Sequence, residues 1–431
     1  MGKKIYKKFF ICIFTFIIIF SVLLPLYSFA EEGVPEIYSP SALLMDYNSG
    51  KILYEKNIYE KRYPASLTKI MTAIVVLEKC NLDEVAEVSY DAVMSISMGY
   101  VTANLQVGEK LTVEQLLYVL MVGSSNDAAV VLAEHVSGSV EDFAILMNEK
   151  AKELGCTSTN FVNPNGEHNE NHYSTAYDLA LMAKYAMKND FFRTLVSTTS
   201  YTLPITNKYD RADRVFRTTN SLLIVDNNTR ADNYYYKNAI GIKTGFTTPA
   251  GNCLVAAANK GNLEFITVVL GGSQTTSGLS ARYIDTISLF EYGYNTYTLR
   301  EVVKKGGIVQ TINIKNATRD TKKLDLIVQN DIYILIKQEE KNSSILPQVT
   351  LNDNLKAPLK EGDIIGKVKY TVEGIDYEEP LIASNNVKKS HWFIKLILFS
   401  ILVFILFMYF DFRKRTRKRI VNNRKKRQKR G

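Results

Sequence analysis

The run HWFIKLILFSILVFILFMYFDF, residues 391–412, leaves a chain one conformational choice. Inside hydrocarbon there is no water to satisfy backbone N–H and C=O groups, so the segment has to bond to itself as a helix. At ~1.5 Å per residue, about twenty apolar residues cross the membrane core. Lys395 interrupts the run close to one end, from which its amine can snorkel to the interface. Behind the run, residues 413–431 carry twelve Lys or Arg and no acid. Basic flanks stay in the cytoplasm, so this tail is expected inside and the bulk of the chain outside. A nucleic-acid-binding tail is the rival reading, weakened by how directly the basic run abuts the span.

The other end agrees with export. Lys3, Lys4, Lys7 and Lys8 precede an apolar run from Phe9 to Leu24, followed by Ser28 and Ala30. That layout is a secretory signal over residues 1–30 with a cut after Ala30; an uncleaved anchor is the alternative.

The formal charge of +9 is therefore misleading. Setting aside the twelve tail cations, the four signal lysines, and Lys395 with Asp411 leaves 36 basic against 43 acidic residues. The exported part is mildly acidic, which argues against polyanion binding. Cys80, Cys156 and Cys253 remain after the signal, an odd and scattered set with neither a disulfide framework nor metal-ligand spacing.

The exported length suits two domains. Residues 31–296 mix strands and helices. SALLMDYNSGKILYEKN alternates around Asn48-Ser49-Gly50, as a hairpin does. SLTKIMTAIVVLEKC has a helical period, TVEQLLYVLMVGSSNDAAVVLAEHVSG reads as two helices broken at residues 123–125, and STAYDLALMAKYAM is a capped amphipathic helix. Residues 238–272 give three strands with turns, and a helix follows from Ser280 to Tyr292. The fold class is α+β, a helical cluster packed on an antiparallel sheet. Residues 297–384 hold short strand-like runs such as LDLIVQ and IYILIK, predicting a small all-β domain. A linker, 385–391, leads to the span at 392–412.

The chemistry starts at PASLTKIMTA, where Ser66 stands one helical turn before Lys69. A helix start offers unpaired N–H groups and partial positive charge, which suits an oxygen turning negative during attack. A desolvated lysine loses basicity toward neutral pH and can take the serine proton. Taken alone, S-x-x-K reads as a capping serine and a solvated lysine. Two further elements change that reading. Ser124-Ser125-Asn126 places a hydroxyl and an amide at a helix junction, and Lys243-Thr244-Gly245 ends a strand where glycine permits close backbone approach.

S-x-x-K, S-x-N and K-T-G in that order resemble the penicillin-recognising acyl-transferases. YPASLTKIMTA, SSNDAAVVLAEHVSGS, FVNPNG, NHYSTAYDLALMAKYAM and GIKTGFTTPAGNCLVAAA look like the low-molecular-mass D-alanyl-D-alanine carboxypeptidases, the S11 peptidase family. The likeness spans most of residues 35–296, and APLKEGDIIGKVKYTVEG is similar to that family's C-terminal β-rich domain. The resemblance implies a β-lactamase/transpeptidase-like domain with Ser66 as nucleophile, Lys69 as base and Ser124 as proton relay. It implies that Asn126 holds the substrate amide, that Lys243 supports Ser124, and that Thr244 meets the terminal carboxylate. The N–H groups of Ser66 and Phe246 would form the oxyanion hole beside Gly245, and Arg282 is the best candidate for a second carboxylate contact. Stem peptides of peptidoglycan ending in D-Ala-D-Ala are the implied substrates and β-lactams the covalent inhibitors. No cofactor, metal or nucleic acid is expected.

Two positions depart from the family pattern. Glu167 stands where leucine is usual, and Phe246 where histidine also occurs. Glu167 with Asn171 imitates the deacylating loop of class A β-lactamases, an alternative that the anchor and the β domain disfavour. Glu167, His168, Glu170 and His172 offer metal-ligand types, but in a loop sequence where four-residue spacing does not converge. His135 reads as a packed or capping residue. An endopeptidase acting on cross-links and a non-catalytic wall-binding protein complete the alternatives.

Overall fold

In the computed structural model, residues 33–225 and 233–428 are described. The signal segment with its cut after Ala30, and the last three tail residues, lie outside them. The chain divides between Thr296 and Tyr297 into two compact units.

In the first unit the hairpin β1 (Ser41–Asp46) and β2 (Ile52–Lys56) turns at Asn48-Ser49-Gly50. A 3₁₀ turn, Ala65–Thr68, runs into α1 (Lys69–Lys79). After β3 (Val85–Glu87), α2 (Tyr90–Met94) and β4 (Lys110–Thr112) come α3 (Val113–Val122) and α4 (Asn126–Ser137). Thr112 and Gln115 form a reciprocal capping box at the start of α3. Gly138 ends α4 in the left-handed conformation at φ +83°. Helices α5 (Val140–Glu153), α6 (Ala176–Ala186) and α7 (Asp190–Ser197) are capped by Ser139, Thr175 and Asn189. The hairpin β5 (Ser200–Thr202) and β6 (Val215–Arg217) precedes β7 (Ala239–Thr247), β8 (Gly251–Lys260) and β9 (Leu263–Gly272). Helix α8 (Ala281–Thr296) closes the unit.

The sheet runs β2-β1-β9-β8-β7, antiparallel throughout. Its central strands are buried on both faces, which is why CLVAAA and FITVVL read as unbroken apolar runs rather than alternations. Ile266, Val268 and Leu270 share one core with Ile70 and Ile74 of α1. The opposite face meets α8, where a Cβ on Gly293 would press on the Phe265 ring and Leu44. Helix α1 is buried from Lys69 through Val76, and each of its large apolar side chains contributes ~1.5–3 kcal/mol of burial. That buried helix is the rigid mount for the site.

The second unit pairs β10 (Tyr297–Val303) with β13 (Ile332–Lys337). A five-stranded sheet orders β11 (Ile308–Asn313), β12 (Lys323–Val328), β16 (Ile375–Ala383), β15 (Ile364–Val372) and β14 (Gln348–Leu351). Leu324, Leu326, Ile334, Val368 and Leu381 centre its core. Helix α9 (Trp392–Gln428) follows, and its apolar first half is long enough to cross a membrane. The helix does not stop at 412 but carries most of the basic tail with it.

Candidate active site

Four pieces of backbone meet at Ser66: the 3₁₀ turn, the start of α4, the end of β7 and the loop 162–172. Ser66 does not open the α-helix, as its sequence suggested, but sits in the tighter turn ahead of it. Ala65, just before it, is held at φ +49°. A left-handed alanine costs ~1–2 kcal/mol, so neighbouring contacts must enforce it.

Lys69 is fully buried and its Nζ has three partners. It lies 3.0 Å from Ser66 Oγ, 2.7 Å from Asn126 Oδ1 and 2.6 Å from the Asn165 carbonyl. The last two are acceptors only. A neutral amine has two N–H donors and one lone pair, so those two bonds use both protons and leave the lone pair aimed at the serine hydroxyl. Burial lowers the Lys69 pKa well below its usual 10.5, Lys243 adds to the shift, and Asp127 and Glu167 oppose it.

Lys243, on β7, is equally enclosed. Its Nζ donates to Ser124 Oγ at 2.9 Å and to the Thr244 carbonyl at 3.1 Å. Burial, then the nearby Arg282 charge, lowers it to about 7. Ser124 itself stands at φ +57°, a strained position that turns its hydroxyl toward Lys243. Gly245 is glycine for a steric reason, because a Cβ would come 3.0 Å from Pro64 O and 3.2 Å from Ser66 N. That close approach brings the β7 backbone alongside the serine turn.

Ser66, Ser124, Asn126, Thr244, Gly245, Phe246 and Arg282 all line one open pocket of about 560 Å³. Thr244 Oγ1 shares a hydrogen bond with Thr219 Oγ1. Arg282 Nη1 donates to the Gly245 carbonyl at 3.3 Å, which puts this side chain beside the K-T-G strand. Met98, Tyr100, His168 and the exposed Phe246 ring also line this pocket.

Sequence reading missed three supports. The Asp127 carboxylate accepts the backbone N–H groups of Ala103 and Leu105, fixing the strand-like segment whose Val101 carbonyl accepts from Asn126 Nδ2 at 2.9 Å. The Asn165 and Pro164 carbonyls hold Lys69 and Thr72. His172 is buried against Thr68. An acid one place after S-x-N was a visible signal for the first; backbone carbonyls leave no signal in a sequence.

Glu167 acts on Lys69 only through its charge, and its carboxylate makes no hydrogen bond to Ser66 or Lys69 among the described residues. His168 and His172 part company: the His168 ring packs edge-on to Tyr63, while His172 points into the core. At the far ends of α1 and α4, Cys80, Glu84 and His135 bring their ligand atoms within 4.8 Å of one another. There the Glu84 carboxylate already accepts from Asn81 and shares a hydrogen bond with His135 at 3.2 Å.

A family model described as D-alanyl-D-alanine carboxypeptidase matches residues 29–274, and one described as penicillin-binding protein 5, C-terminal domain, matches 297–389. The D-alanyl-D-alanine carboxypeptidase DacF of Bacillus subtilis is 33% identical over 356 residues, covering 81% of this chain and 86% of that protein. The structure of penicillin binding protein 5 from Haemophilus influenzae superposes with a TM-score of 0.64 at 30% identity, covering 82% of this chain and 99% of that one. That of a peptidoglycan synthesis regulatory factor (PBP3) from Streptococcus pneumoniae gives 0.70 at 25% identity, with 82% and 100% covered. The S-x-x-K, S-x-N and K-T-G segments meet in one pocket, the family model covers residues 29–274, and the protein belongs to the S11 family of D-alanyl-D-alanine carboxypeptidases.

Proposed function

We propose that Ser66 is the nucleophile of a serine D,D-carboxypeptidase, exported and anchored by α9 with the basic tail in the cytoplasm, which trims stem peptides of peptidoglycan. Neutral Lys69 takes the Ser66 proton as Oγ attacks the carbonyl between the two D-alanines. The oxygen of the tetrahedral intermediate turns toward the N–H groups of Ser66 and Phe246. As the C–N bond breaks, the proton held by Lys69 passes by way of the Ser124 hydroxyl to the leaving amine, which returns Lys69 to its neutral form, while the Lys243 amine holds Ser124 in place. Asn126 holds the amide of the acyl portion, and Thr244 with Arg282 holds the terminal carboxylate. Water, deprotonated by Lys69, then releases the acyl group from Ser66 and regenerates both residues.

The Lys69 amine carries this reading, being buried without a carboxylate partner among the described residues and with its one spare direction facing Ser66 Oγ. A β-lactam would acylate the same oxygen. The test incubates the full chain in detergent micelles with diacetyl-L-Lys-D-Ala-D-Ala and follows free D-alanine beside Ser66→Ala. Release by the wild type and none by the variant is expected. Turnover of cross-linked muropeptides with no release from the tripeptide would favour an endopeptidase instead, and equal release by Ser66→Ala would refute the nucleophile.

A further inference from the structure

Behind the serine turn runs a hydrogen-bond chain that the proposed mechanism does not use. The Val162 N–H donates to His172 Nδ1 at 3.1 Å, so Nδ1 is an acceptor and the ring proton sits on Nε2. Nε2 lies 2.7 Å from Thr68 Oγ1 and therefore donates to it. The Thr68 hydroxyl, its oxygen occupied, donates onward to the Ala65 carbonyl at 2.8 Å. Direction is thus fixed at every link, from loop to imidazole to hydroxyl to carbonyl.

The end of the chain matters because the Ala65 carbonyl and the Ser66 N–H belong to one planar peptide unit. Whatever sets the carbonyl sets the N–H on its other side. That peptide follows a left-handed alanine, a conformation with little intrinsic preference of its own. The 162–166 loop also closes on it so tightly that a Cβ on Gly166 would stand 1.9 Å from the Ala65 oxygen. A bond donated to the carbonyl both aims the peptide and polarises it, which makes its N–H a stronger donor.

We propose that His172 is a positioning residue for the oxyanion hole: through Thr68 it locks the Ala65–Ser66 peptide so that the Ser66 N–H stays aimed at the developing oxyanion. The inference rests on the reading of Ser66 as nucleophile and oxyanion donor. His172 and Thr68 are buried, and neither lines the substrate pocket. Burial, with His168 and Lys69 nearby, lowers the imidazole to about 3, so the ring keeps its neutral form while the enzyme works.

An oxyanion donor acts on the transition state more than on bound substrate, which separates this role from a merely structural one. The experiment compares Thr68→Val, Thr68→Ser, His172→Leu and His172→Gln in the full chain. It reads kcat and KM on diacetyl-L-Lys-D-Ala-D-Ala, the acylation rate with a fluorescent penicillin, and Tm. Losing an oxyanion donor outright costs on the order of 10²–10³ in rate, so loosening one should cost on the order of 10-fold. Thr68→Val and His172→Leu are expected to lose that factor in kcat and acylation with KM little changed. Thr68→Ser keeps the hydroxyl, and His172→Gln can accept from Val162 and donate to Thr68, so both should recover most of the rate. Folded Thr68→Val acylating at the wild-type rate would overturn the inference, as would His172→Gln being as slow as His172→Leu. Should Thr68→Val fail to fold, Thr68→Ala, which removes the donor without adding bulk, takes its place under the same criterion. Wild-type protein inert to both substrate and penicillin would instead overturn the underlying assignment of Ser66.

Discussion

Gly166 and Gly155 share a φ of +82° but differ in surroundings, which makes them a matched pair. Nothing lies within 4 Å of a Cβ built on Gly155. On Gly166 the same Cβ would stand 1.9 Å from the Ala65 oxygen and 2.4 Å from its carbon, both backbone atoms. Gly155→Ala therefore carries only the left-handed penalty, ~1–2 kcal/mol, or a fall in Tm of about 2–8 °C. Gly166→Ala carries that penalty and must also open the contact to at least 3.0 Å, the closest that real Cβ atoms approach. The backbone then moves by roughly 1 Å, either lifting the Asn165 carbonyl from Lys69 or tilting the Ala65–Ser66 peptide, and such a misplacement costs on the order of 100-fold in rate. Acylation of the full chain by a fluorescent penicillin, sampled over time, with Tm from intrinsic fluorescence, measures both effects. Gly155→Ala should be acylated like the wild type and Gly166→Ala about 100-fold more slowly. Equal acylation of two folded variants would show that the close approach of this loop does not set the site's geometry.

Lys69→Arg puts a permanently protonated group where the neutral amine stood and leaves no lone pair for the serine proton, so acylation should fall by more than ~10³-fold; retention of measurable acylation in a penicillin time course would remove Lys69 as the base. Lys243 is lowered from 10.5 to about 7 by folding, so between those values the unfolded chain holds a proton that the folded one has lost, and stability rises with pH. Below about 7 the lysine is charged in both states and the full cost of burying it is present. The Tm advantage of Lys243→Met should accordingly be largest below pH 7 and shrink as pH rises toward 10.5; a gap independent of pH would contradict the shift. Arg282→Ala should weaken kcat/KM for a D-Ala-D-Ala peptide roughly 10–100-fold yet barely affect one ending in a carboxamide. Equal losses on both substrates would place Arg282 in support of the Gly245 carbonyl rather than on the carboxylate.

The architecture was legible where burial leaves a periodic mark. Helix α1, the break at residues 123–125, the three long strands β7 to β9 and the apolar run of α9 all stood out by spacing. Shorter or more polar elements did not. Helix α5 buries Phe143, Ala144, Met147 and Ala151 at helical spacing, but charged residues and the exposed Ile145 dilute that stripe, and β3 with β4 and β5 with β6 are three-residue pairings, too brief for any period to register. The span expected at 392–412 lies within a longer helix: hydropathy falls at Arg413, but nothing there stops a helix, and Arg, Lys and Gln are good helix formers. The helix expected over Ser280–Tyr292 runs on to Thr296, and Gly293 within it makes room for Phe265 and Leu44.

What spacing could not reveal is concentrated around Ser66, and for one reason. Among the described residues, the positions with positive φ that are neither glycine nor asparagine are Ala65, Ser124 and Glu373. Two of those three flank the reacting groups. Propensity rules reserve that conformation for Gly and Asn, so an alanine or serine there exists only because tertiary contacts impose it. For Ala65 the contacts are the Thr68 hydroxyl and the Gly166 loop; for Ser124 a neighbouring contact is the Lys243 amine. The same holds for charge. Lys150 is buried but paired with Glu78 and Glu153, whereas Lys69 and Lys243 face neutral oxygens. Unpaired burial lowers both amines, and lowered amines are what proton transfer at neutral pH requires. Sequence rules describe chains that relax each residue into its preferred state. A site that must hold a base neutral and a peptide strained breaks those rules at the positions that react, so the violations themselves mark the chemistry.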